Sequence, residues 1–120
     1  MLQNYREFEA ADPFGRTCKV RFVWLQTAIS IRHADAVDVK FTVDDGSYRD
    51  EKVVAMTHPR LRAMAERLGR PLADAWVMKM AAIHLDKIIR TGGDIEKPLV
   101  TMSQADMDEA NSAIGAAASA

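Results

Sequence analysis

A change of hydrophobic period near Thr57 constrains this chain more than any other feature. Before it, apolar residues recur at every second position. Cys18, Val20, Phe22 and Trp24 alternate with Lys19, Arg21 and Val23, and Val37, Val39, Phe41 and Val43 alternate with Asp38, Lys40 and Thr42. A period of two belongs to a half-buried strand, because successive side chains leave opposite faces of the pleat. After Thr57, Leu61, Met64, Ala65 and Leu68 recur at steps of three and four, the stripe of an amphipathic helix. Strands followed by helices, rather than alternating with them, imply an α+β fold.

The parity of the alternation changes within the strand region. Even positions are apolar up to Trp24 and odd ones from Ile29 and Ile31 onward. A slip of one residue exchanges the two faces, so the chain must turn or bulge near Leu25–Thr27. Asp12-Pro13-Phe14-Gly15 reads as a turn closing an acidic lead-in over residues 1–15. Asp44-Asp45-Gly46-Ser47 reads as a hairpin turn with Gly46 at positive φ, and a last strand returns from Tyr48 to Met56. Thr57 or His58 caps the first helix, Pro59 suits its first turn and Gly69 ends it. Pro71 keeps that helix from fusing with the next, which spans about 72–90 and stops at Thr91-Gly92-Gly93. Leu99-Val100 fits a short edge strand, and Ser103 with Asp106 a capping box opening a last helix. The expected fold is one domain over 1–120. It has a small antiparallel meander of three to four strands in 16–56 and a helical part in 57–112. That part comprises an αα-hairpin and a short C-terminal helix packed on one face, and 113–120 is a frayed tail.

Composition removes several classes. Sixteen basic residues against seventeen acidic ones leave a formal charge of −1, which speaks against a general nucleic-acid binder. Twenty-seven Leu, Ile, Val and Phe residues among 120 suffice for a core. No apolar run approaches the ~18 residues of a membrane span. Cys18 is the single cysteine, so there is no disulfide framework. The first residues lack an apolar signal-peptide core, and the expected location is the cytoplasm.

The long helix is apolar on two sides. Val77, Met78, Ala81, Leu85, Ile88 and Ile89 fill one arc, whereas Trp76, Met80 and Ile83 lie nearly opposite. Such a helix is buried twice, either between the sheet and another helix or, through the second stripe, against a partner. Aromatic residues and Met are common at interface centres, so Trp76, Met80 and Ile83 are candidates for a homodimer seam.

Catalytic signatures are absent. There is no Gly-x-Ser-x-Gly, Walker A or Gly-x-Gly-x-x-Gly pattern, and Cys18 falls on the apolar strand face, where burial makes a thiol inert. His33, His84 and Lys87 are the ligand candidates. His33 and Asp35 share a strand face, but His84 and Asp86 diverge by ~200° on a helix, and no set of four ligands forms. No metal and no cofactor is therefore expected.

Leu61-Arg62-Ala63-Met64-Ala65-Glu66-Arg67-Leu68-Gly69 resembles the first helix and turn of the helix-turn-helix family, with the small residue Ala65 four positions before Gly69 and apolar residues resuming at Ala75 and Met78. Two features depart from that pattern: Arg70 stands where an apolar residue is usual, and the would-be recognition helix carries Trp76, Val77 and Met80 instead of polar side chains. The resemblance implies a DNA-binding segment at 61–78, with Arg60, Arg62, Arg67 and Arg70 as phosphate contacts. The leading expectation is a non-enzymatic binding or assembly domain. It self-associates as a dimer through the long helix, or holds a modest ligand between sheet and helices. A DNA-binding regulator is the alternative, and a small enzyme or a ligand or metal site at His33 or His84 is the second.

Overall fold

The computed structural model describes residues 4–28, 36–93 and 97–119. Five strands and three helices follow in the order β1 (Glu7–Ala11), β2 (Thr17–Ala28), β3 (Ala36–Asp44), β4 (Arg49–Thr57), α1 (His58–Leu68), α2 (Asp74–Thr91), β5 (Leu99–Thr101) and α3 (Gln104–Ser119). They form an α+β fold around one five-stranded sheet in the order β1-β2-β3-β4-β5. The first four strands are an antiparallel meander, and β5 joins β4 in parallel. A parallel neighbour requires a crossover, here supplied by α1 and α2.

Residues expected as a lead-in form β1. Phe8 and Ala10 face the core while Glu7, Glu9 and Ala11 are exposed, the same alternation as in the longer strands. The parity change in β2 is a bulge: Phe22 pairs with Phe41 and Trp24 with Lys40, leaving Val23 extra. It lies just before the expected Leu25–Thr27 position. It moves Trp24 to the outer face, where Lys40 sits 5.5 Å from its ring, and turns Leu25 toward the core. Ile29 and Ile31, expected in a further strand, lie outside the described residues.

The inner face of the sheet carries Val20, Val39, Phe41, Val54 and Met56, all 1 % exposed or less. The outer face is charged in register. Glu9, Lys19, Asp44 and Arg49 stand side by side across four strands, and Lys40 pairs with Glu51. Alternating signs neutralise that end of the face locally.

α2 lies over β1, β2 and β4, and its helical partner is α3, not α1. The expected αα-hairpin is therefore replaced by an α2–α3 pair. α1 packs on β4 through buried Leu61 and Met64. Its end is a Schellman turn: Gly69, at φ 64°, donates its N–H to the carbonyl of Glu66, and Arg70 donates to that of Ala65. α2 ends with Gly92 at φ 73°, its N–H donated to the Ile88 carbonyl at 2.8 Å. The capping box that opens α3 is reciprocal: Ser103 N–H to the Asp106 carboxylate at 3.0 Å, Asp106 N–H to the Ser103 hydroxyl at 3.1 Å. α3 stays helical through Ser119, past the expected limit at residue 112, as suits an alanine-rich end. Among the described residues no helix is long and apolar enough to cross a membrane.

Candidate functional site

The interface stripe expected on the long helix is occupied by the chain itself. Trp76 and Met80 are 2 % and 0 % exposed, while Ile83 is partly buried against the core. The Trp76 indole N–H donates to Asn111 Oδ1 of α3 at 3.0 Å, and the Arg70 guanidinium covers its ring at 4.6 Å. α2 is thus buried twice, by the sheet below and by α3 above.

Three of the four arginines picked out for nucleic acid are engaged internally. Arg60 donates to the Met102 carbonyl at 3.2 Å, Arg67 pairs with Asp108 at 2.8 Å, and Arg70 stacks on Trp76. Arg62 is exposed. α1 packs on β4 and α2 on α3, and the residues at the would-be recognition positions, Trp76, Val77 and Met80, are buried in the core.

His84 and Lys87 come together in a groove of about 240 Å³ between α2 and α3, with Asp86, Arg90, Asp106 and Glu109 also on its walls. Its charges are largely spent on one another. Lys87 pairs with Glu109 at 2.7 Å and Arg90 with Asp86 at 2.9 Å. The hydrogen bond that Lys87 donates to Glu109 raises its ammonium above the ordinary lysine value. Burial alone pushes the Asp106 carboxyl up, but the two Ser103 hydrogen bonds, with the charges of His84 and Lys87, outweigh it and hold the group below the usual carboxylate range. This groove reads as an electrostatic seam between two helices. His33 lies outside the described residues. Among the described residues no three His, Cys, Asp or Glu side chains gather as a metal site would need.

A second cleft, of about 190 Å³, opens at the hairpin end of the sheet beside Asp12, Arg16, Cys18, Asp45, Asp50 and Lys52. Lys52 is buried on the core face of β4, its Nζ 3.1 Å from the Lys97 carbonyl and 3.3 Å from Asp50. Asp12 accepts from the N–H groups of Phe14 and Arg16, and Asp45 from those of Ser47 and Tyr48. Burial, with Asp12 and Asp45 near, pushes the Cys18 thiol up, so it stays a protonated core residue. These groups hold turns in place.

The third cavity has a different character. It is a notch of about 290 Å³ lined by Arg6, Phe22, Trp24, Leu25, Asp74, Ala75 and Met78. Three structural facts build it. The pairing of β1 with β2 ends at Glu7–Arg21, and β2 runs on to Ala28. Arg6 closes the notch on that side, its carbonyl accepting from the Phe22 N–H at 2.7 Å. The bulge at Val23 brings Phe22, Trp24 and Leu25 to the same place from both faces of the strand, and the first turn of α2 forms the opposite wall. The lining is aromatic and apolar with one cation and one anion, the composition of a small-molecule site. Phe22, Trp24 and Leu25 are partly buried and line the notch.

None of Arg6, Phe22, Trp24, Leu25, Asp74 and Met78 was a site candidate in the sequence. Two signals pointed there. The parity change announced a bulge, and bulges are frequent beside sites. The Glu7-Phe8-Glu9-Ala10 alternation announced a strand that would bring Arg6 alongside Phe22. Comparison with protein families, with curated protein sequences and with solved structures returns no match, so the site is read from its own geometry.

Proposed function

We propose that this chain is a small non-enzymatic binding domain that takes a small ligand in the notch between β2 and the first turn of α2. The observation that carries the reading is that the partly buried Phe22, Trp24 and Leu25 line, with Met78, one cavity of about 290 Å³. Apolar surface that remains accessible in a concave site favours an apolar guest, because each Å² removed from water yields about 25 cal/mol. The other two cavities support it less, since their charged groups are tied to neighbours within the chain. Assembly through the Trp76–Met80–Ile83 stripe has less support than ligand binding, because Trp76 and Met80 are already buried within the chain. The test is titration with indole, a neutral aromatic, followed by nuclear magnetic resonance. Resonances of Trp24, Leu25 and Met78 are expected to shift together. Shifts confined to the α2–α3 groove, or none at the notch at millimolar indole, overturn the reading.

A further inference from the structure

Two opposite charges line the notch, and neither has an ion-pair partner among the described residues. The Arg6 guanidinium lies 5.6 Å from the Phe22 ring centroid, yet no acidic residue among those described pairs with it; the nearest acidic residue in sequence, Glu7, is taken by Arg21 at 3.5 Å. Asp74, on the opposite wall, has no ion pair and no side-chain hydrogen bond among the described residues, and it does not cap α2, whose N-cap is Ala73. The contrast with the α2–α3 groove is direct, since there Lys87 and Glu109, and Arg90 and Asp86, neutralise each other. A guanidinium held beside an aromatic ring still presents its planar fork of donors to a carboxylate. A carboxylate on the facing wall accepts from an ammonium in the same charge-assisted way. Trp24, Leu25 and Met78 line the same notch.

Resting on the ligand-binding reading above, we infer that the notch takes a small zwitterion with an apolar or aromatic body, the chemistry of a free apolar α-amino acid. Its carboxylate meets Arg6, its ammonium meets Asp74, and its side chain lies on Trp24, Leu25 and Met78. A ligand with one charge uses one wall and leaves the other charge without a partner in the occupied site. The zwitterion uses both, so preference for it is the signature of this arrangement.

The experiment uses the full chain and three matched probes: phenylalanine, 3-phenylpropionate, which lacks the ammonium, and phenethylamine, which lacks the carboxylate. Affinities are measured by calorimetry, and the Trp24 indole N–H and Met78 methyl signals locate the site. Phenylalanine is expected to bind about tenfold or more tighter than either analogue, as one additional charge-assisted hydrogen bond implies. Arg6→Gln is expected to weaken phenylalanine and 3-phenylpropionate and leave phenethylamine unchanged. Asp74→Asn is expected to weaken phenylalanine and phenethylamine and spare 3-phenylpropionate. Both positions are exposed, and an unchanged melting temperature verifies that the variants fold. Equal binding of the three probes, or losses that do not follow charge, with Trp24 and Met78 still shifting, overturns the zwitterion and leaves the pocket. No shift at Trp24 or Met78 with these probes or with indole overturns the pocket as well.

Discussion

Gly69 and Gly92 occupy the same left-handed position after two helices, at φ 64° and 73°, but in different surroundings. A Cβ on Gly69 meets nothing within 4 Å, whereas one on Gly92 lies 3.1 Å from Pro13 Cγ in the β1–β2 turn. The left-handed region costs an L-residue about 1–2 kcal/mol. Gly→Ala also removes backbone freedom from the unfolded chain, which returns about 0.4–1 kcal/mol. Gly69→Ala should therefore lose about 1 kcal/mol. At Gly92 the same backbone cost is joined by crowding, which runs to about 1–3 kcal/mol where nothing yields, so Gly92→Ala should lose about 2 kcal/mol or more. For a chain of this length each kcal/mol is worth roughly 4 °C in melting temperature. Urea titration at constant slope gives both values. Two controls separate the causes. Gly69→Asn should be milder than Gly69→Ala, because Asn tolerates the left-handed region. Pro13→Ala should recover part of the Gly92→Ala loss and none of the Gly69→Ala loss. If Gly69→Ala equals the wild type, or Asn is worse than Ala there, the left-handed turn is not what ends α1.

Trp76→Phe removes the indole bond to Asn111 and some core volume, so it should cost about 2 kcal/mol. With the stripe already covered by α3, it should leave the molar mass from light scattering unchanged; a shift from dimer to monomer would restore the interface. Phe41→Ala, at a residue 0 % exposed in the central strand, should cost about 3–5 kcal/mol in the same urea assay. Melting temperature should fall on acidification. The carboxyls of Asp12, Asp45, Asp106 and Asp108 are held below their ordinary value, so the stability they supply is present above about pH 4 and lost as pH falls through their folded values. Asp38, raised by burial, works in the opposite direction and softens the loss. A melting temperature that rises steadily from pH 5 to pH 3 contradicts this balance.

Local chemistry was legible in the residues themselves. The period of two in β2 and β3, the Asp45-Gly46 hairpin, the Gly69 stop and the reciprocal Ser103–Asp106 cap each depend on residues within a few positions of one another, so the chain states them without reference to its fold. The bulge was also visible as a change of parity, since side-chain direction in a strand follows from counting. What no local pattern determined was which surfaces meet. The two-sided α2 was compatible with a partner protein or with the chain's own α3, because burial removes an apolar stripe from water whatever covers it. Arg60, Arg67 and Arg70 looked free on a helical wheel and are tied to Met102, Asp108 and the Trp76 ring, residues 6 to 42 positions away. The notch exists because β1 stops beside Arg6 while β2 continues and α2 begins across from it. Those three boundaries come from segments distant in sequence, and only their packing puts a guanidinium, a carboxylate and two aromatic rings around one cavity.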